Sequence, residues 1–146
     1  MRISLNNEQN QDPNSIIFMS LPITTIYTVI LGGLTIALAI RIALMRRKFK
    51  IPLGDEGNRR LQKAIAAHEN AVDNIPLALI LMLVAELNGG NAELLYIIGS
   101  LLVIARLLHA WGMSHRRGHS FGRFYGIALT WVSMLGLIVT NIVYAV

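Results

Sequence analysis

The segment HENAVDNIPLALILMLVAELNGGN, residues 68–91, decides the fold. Its apolar stretch from Ile75 to Ala85 is too short to cross a hydrocarbon core of about 30 Å, which takes about 20 helical residues. The missing length lies upstream, so the half carrying His68, Glu69, Asn70, Asp73 and Asn74 must enter or border the membrane. Downstream, Asn88-Gly89-Gly90-Asn91 is an uncharged turn flanked by Glu86 and Glu93. A polar half-helix, an apolar half-helix and a sharp reversal together read as one side of a helical hairpin in a bilayer.

Outward from this segment, three more apolar runs appear. The four spans are expected at about 16–44, 62–87, 94–111 and 124–146, preceded by a polar, Asn/Gln-rich tail over 1–15 that is expected to be mobile. Four spans of about 20 residues account for most of the 146 residues and leave no room for a soluble domain. Composition agrees: 54% of the chain is hydrophobic, and its 14% of charged residues falls well below the roughly 25% of soluble domains. The expected class is therefore all-α, an integral membrane four-helix bundle over 16–146. Because Met1 to Asn14 is polar and the first run exceeds a signal-peptide core, that first span is expected to stay attached.

Charge sets the expected orientation. Every Arg and Lys except Arg2 lies at or between the ends of runs one and two, or of runs three and four. The loop around Pro52 and Gly54 is flanked by Arg46, Arg47, Lys48, Lys50, Arg59, Arg60 and Lys63, and the second basic loop carries His115, Arg116, Arg117, His119 and Arg123. In a plasma-membrane setting, the positive-inside rule places both loops in the cytosol and both termini outside. Cations that flank apolar spans orient the chain and meet anionic lipid, so the net charge of +5 gives no reason to invoke nucleic acid. The absence of cysteine excludes disulfides, thiolate metal sites and a cysteine nucleophile. Any thiol chemistry must use a bound thiol. Gly32 and Gly33, midway along run one, are candidate close-packing points for another helix.

A second set of polar residues lies inside the apolar pattern. Asn70, Asp73 and Asn74 share a helix face at i, i+3 and i+4, and Arg106 and His109 share one in run three. With Arg41 ending run one, and Arg123 and Tyr125 opening run four, these groups lie at one depth. A charged side chain at mid-membrane costs roughly 2.5–3.5 kcal/mol on insertion scales, so such groups should turn inward and pair. Asp73 with Arg106 is the expected pair, and helix-to-helix glue is the plain alternative to a ligand site. His68, Glu69, Asp73 and His109 lack the spacing of a metal site, so none is expected.

These residues carry a resemblance. Arg60 to Leu77, RLQKAIAAHENAVDNIPL, followed by Ala105 to Gly112, ARLLHAWG, resembles the MAPEG family, the membrane-associated proteins in eicosanoid and glutathione metabolism, and in particular its bacterial inner-membrane branch. The resemblance covers roughly Leu31 to the C-terminus. It implies a homotrimer of four-helix protomers with glutathione as co-substrate, bound between subunits near the cytosolic side. By position it implies that Asn70, Asp73, Arg106 and His109, with His68 and Tyr125 beside them, bind glutathione. Arg123, at the start of helix four, would stabilise the thiolate in catalysis. Glutathione suits such a site, because its carboxylates fit Arg forks and its thiol reacts as the anion that a guanidinium favours.

The chain also departs from the family pattern. An Arg often found two residues before the His68 position, or directly after it, is replaced here by Ala66 and Glu69. Arg41, Arg59 and Arg60 are the cations that could compensate. The residues after Arg123 do not reproduce the Ser and Tyr of the prostaglandin synthase members, so that specificity is not carried over. The leading expectation is a glutathione-dependent transferase or peroxidase acting on hydrophobic electrophiles or lipid hydroperoxides. The alternative is a non-catalytic lipid-binding scaffold of the same family. A small transporter ranks third, since the spans lack broken helices.

Overall fold

The computed structural model describes residues 20–115 and 121–145. The tail over 1–15, the cations Arg116, Arg117 and His119 and the side chain of His115 lie outside the described residues. Four helices follow in order: α1 (Pro22–Phe49), α2 (Arg59–Leu87), α3 (Ala92–His115) and α4 (Phe121–Tyr144). All four are long and apolar enough to cross a membrane, and no strand occurs among the described residues. At 1.5 Å per residue they measure about 36–43 Å, which exceeds the bilayer core and carries their ends into the headgroup layer.

The helices extend past the apolar runs. Run one was expected to stop near Leu44, yet α1 continues through Arg46, Arg47 and Lys48 to Phe49, and α3 continues past Trp111 to His115. Arg and Lys are good helix formers whose long stems keep their charges near water, so the first cation does not end a helix. α1 stops at Lys50, which takes the left-handed conformation, and the basic last turn complements the helix dipole. α2 starts where the Asn58 side chain accepts from the backbone N–H groups of Arg60 and Leu61 at 3.0 and 3.1 Å. The turn between α2 and α3 depends on Gly89, whose φ of 74° disfavours a side chain. Asn91 then caps α3 by accepting from the Leu94 N–H at 2.9 Å.

Small residues bring the helices together. α2 buries Ala64, Ala67, Ala71, Ala78 and Ala85 along one stripe, and Leu31 and Leu38 of α1 and Leu102 of α3 cluster with its middle part, Ala67, Ala71 and Ala78. Near the α2–α3 turn a second cluster joins Ile23, Tyr27, Met82, Leu95 and Leu137. α4 buries Gly122, Gly126, Thr130, Ser133, Leu137 and Thr140. The hydroxyls of Thr130, Ser133 and Thr140 return their hydrogen bonds to carbonyls four residues back. The most extensive contact joins α3 and α4, while α1 and α4 do not touch among the described residues. Gly32 and Gly33 are not packing points within the subunit: a Cβ on either would have no neighbour within 4 Å. The packed stripe of α1 runs instead through Ile23, Tyr27, Leu31 and Leu38.

Candidate functional site

α3 carries two polar residues inside its buried stripe. Arg106 and His109 are 1% and 4% exposed, in line with Leu95, Leu102 and Ala105. They are buried because α4 comes down on them through glycine. A Cβ on Gly126 would fall 2.6 Å from the His109 backbone nitrogen, and one on Gly122 would fall 2.9 Å from the Leu108 carbonyl oxygen. Farther along the same seam, a Cβ on Gly112 would lie 2.4 Å from the Arg123 backbone nitrogen. Arg123 is thereby set beside the end of α3.

The Arg106 guanidinium is incompletely satisfied. One terminal nitrogen, Nη1, donates to Oδ1 of Asn70 at 2.8 Å. Nε of Arg106 and Nδ1 of His109 are buried without a hydrogen-bond partner in the subunit. Buried polar atoms are nearly always paired, and one left unpaired costs about 1–3 kcal/mol, more when charged. Asn70 is held in turn by its own helix, its carbonyl accepting from Nδ2 of Asn74 at 2.9 Å. The site thus consists of a cation, an imidazole and an amide under a glycine roof, with Arg123 at its edge. No group of three His, Cys, Asp or Glu able to hold a metal ion occurs among the described residues.

Not all of the sequence candidates converge. The expected ion pair between Asp73 and Arg106 does not form; Asn70 takes the guanidinium and Asp73 is exposed. Helix geometry explains the exchange. At about 100° per residue, Asp73 and Glu69 each lie about 200° from Ala71 in the buried stripe, so both point away from it, whereas Asn70 lies only about 100° away. His68, about 60° from Ala71 on the opposite flank from Asn70, is half-buried and does not share the Asn70 side. Tyr125 is exposed and joins an aromatic group, its ring 4.2 Å from that of Phe121 and 5.3 Å from that of Phe124. Arg123 is exposed at the head of α4.

Sequence reading missed the glycines that roof the site. Their signal was present in the four-residue spacing of Gly122, Gly126 and Thr130, a small-residue pattern typical of close membrane helix pairs. It also missed Glu86, whose carboxylate reaches from the end of α2 to accept from the Ile23 and Thr24 N–H groups of α1 at 3.0 and 2.7 Å.

Residues 24–143, most of the described helical bundle, match the family model of the MAPEG proteins. The chain belongs to the MAPEG family. Among its relatives are two Escherichia coli proteins, from strains K12 and CFT073, each called inner membrane protein YecN. Each is 33% identical over 122 residues, covering 84% of this chain and 92% of the relative. The MAPEG match and four membrane-length helices identify a membrane protein whose surroundings are lipid.

Proposed function

We propose that this MAPEG protein is an inner-membrane, glutathione-dependent transferase or peroxidase that works as a homotrimer, with both termini on the outer side. The observation that carries the proposal is the buried, half-satisfied pair of Arg106 and His109. A guanidinium nitrogen and an imidazole nitrogen without partners are what an anionic, hydrogen-bonding ligand would complete. Glutathione fits that donor set: Arg106 would take a carboxylate, with Asn70 orienting the guanidinium from behind. Arg123, set beside the end of α3, would favour the thiolate form of the ligand. Glutathione would supply the nucleophile, and a hydrophobic electrophile or lipid hydroperoxide would arrive from the bilayer.

The exposed polar residues support an assembly. Asp73 lies about 21 Å along α2 from Leu87, well inside the bilayer, where lipid contact for a carboxylate is costly. Glu69, Asp73, Arg123 and Tyr125 are all exposed on the single subunit. In a homotrimer a neighbour would cover them, bringing Asp73, Tyr125 and His68 to a shared cleft that one subunit does not contain.

The second reading, a non-catalytic lipid-binding scaffold, is favoured by Ala66 and Glu69. Glu69 puts a negative charge where the resemblance leads one to expect an Arg for a glutathione carboxylate. One experiment separates the two. Purified protein in detergent receives glutathione and a chlorinated aromatic electrophile, and both conjugation and thiolate absorbance are followed. The enzyme reading requires turnover above background that Arg123→Ala abolishes with the fold intact. Absence of both signals, with lipid binding that survives Arg123→Ala, leaves the scaffold.

A further inference from the structure

Along the exposed face of α3 runs a shallow groove of about 710 Å³, lined by Glu93, Tyr96, Ile97, Ser100, Leu101 and Ile104. At about 100° per residue these positions fall within an arc of about 140°, so they form one stripe. From Glu93 to Ile104 it runs about 16 Å, close to half of a hydrocarbon core of about 30 Å. The stripe therefore spans one leaflet, with its single charge at the rim and apolar side chains toward mid-membrane. Ile97 and Ile104 are 58% and 57% exposed. α1 fixes the groove from the side: the Tyr27 hydroxyl donates to the Tyr96 carbonyl at 2.7 Å and lies 2.9 Å from Ser100 Oγ. Two acids, Glu86 and Glu93, lie at this end of the bundle. Glu86 accepts from two N–H groups of α1, whereas Glu93 is exposed. No Lys, Arg or His occurs over residues 22–40, 74–105 or 126–144, the lengths of helix on this side.

We infer that this groove binds a phospholipid with a primary ammonium headgroup, the ammonium at Glu93 and an acyl chain along Ile97, Leu101 and Ile104. Sign decides the headgroup. A carboxylate at the rim repels an anionic lipid and attracts an ammonium, and a primary ammonium offers three N–H donors where a quaternary one offers none. Tyr96, 40% exposed and one turn from Glu93, adds an aromatic face for the same cation. The phosphate of such a lipid meets the first turn of α3, where the Ala92 and Glu93 N–H groups have no intrahelical acceptor. A free amine would use Glu93 and leave Ile97 and Ile104 uncovered. A second copy fits less well. Copies inserted the same way up bring this end to one level, and among the described residues it carries two acids and no cation.

The test uses the full chain, purified in detergent and mixed with equal amounts of phosphatidylethanolamine and phosphatidylcholine, with bound lipid counted by native mass spectrometry. Both lipids are zwitterionic, so the cations at the opposite end of the bundle do not discriminate between them. Phosphatidylethanolamine is expected to be retained roughly fivefold over phosphatidylcholine, the size of a favourable exposed ion pair. Glu93→Gln removes the preference and Glu93→Asp keeps it. Ile97→Ala with Ile104→Ala lowers the retention of phosphatidylethanolamine by reducing its apolar contact. Equal retention of the two lipids by the unaltered chain overturns the site, as does a preference that survives Glu93→Gln. Displacement of bound phosphatidylethanolamine by free ethanolamine would overturn the lipid in favour of a small amine. A change in subunit number in Glu93→Gln, with no lipid preference in the unaltered chain, would give the groove to a second copy.

Discussion

The two ends of the bundle treat their polar groups differently. Near the α2–α3 turn, Glu86 holds two N–H groups of α1, and Nδ2 of Asn141 donates to the Leu81 and Leu137 carbonyls, both at 2.8 Å. What remains unpaired there, Thr24 Oγ1 and Asn141 Oδ1, belongs to neutral groups. Toward the basic end the unpaired atoms belong to a guanidinium and an imidazole, and two carboxylates face outward. Of these groups only the guanidinium is charged, and an unpaired charged group carries a larger penalty than a neutral one, so the larger uncompensated cost lies at the second end.

Mutations can break this contrast. The largest effect is expected at Gly126→Leu, because its side chain would collide with the His109 backbone, which cannot move aside as a side-chain tip can. A loss of about 3 kcal/mol, or failure to fold, should appear in thermal unfolding in detergent. Arg106→Met should separate the two roles. Stability stays level or rises, since an apolar residue replaces an unpaired buried cation, while glutathione conjugation falls about 100-fold, or about 2.7 kcal/mol in the barrier. A parallel fall in both would mean that Arg106 is glue.

At the opposite end, Glu86→Ala should cost about 1–2 kcal/mol of stability by uncapping α1. Glutathione affinity should be unchanged, and a calorimetric titration checks that. The smallest effect is expected at Gly33→Ala, where no atom would meet the new methyl group and helix propensity favours the change by up to about 1 kcal/mol. A clear loss of stability in the assembled protein would instead place a neighbouring subunit against that face.

Much of the architecture was legible because a bilayer imposes simple rules. The incomplete apolar run from Ile75 to Ala85 forced the polar half of α2 toward the membrane, and the pairing of Arg106 with a residue of the 70–74 stripe follows from helical spacing. The identity of that partner did not. Asn70 and Asp73 differ by one turn, and charge complementarity favoured Asp73, but the buried alanines of α2 turn Asn70 toward α3 and Asp73 away. Within the subunit, close approach falls at Gly122 and Gly126 rather than at Gly32 and Gly33, because a small residue only permits it and the packed partner decides whether it is used.

Sequence alone determined a four-helix membrane protein with its cations at one end and polar residues embedded there, because hydrophobic length and charge placement act locally along the chain. Tertiary structure alone decided which polar residues are buried together. That depended on the rotation of each helix about its axis, set by the alanine stripe of α2 and the glycine seam of α4, so Arg106, His109 and Asn70 share one interior while Asp73 and Tyr125 remain outside it.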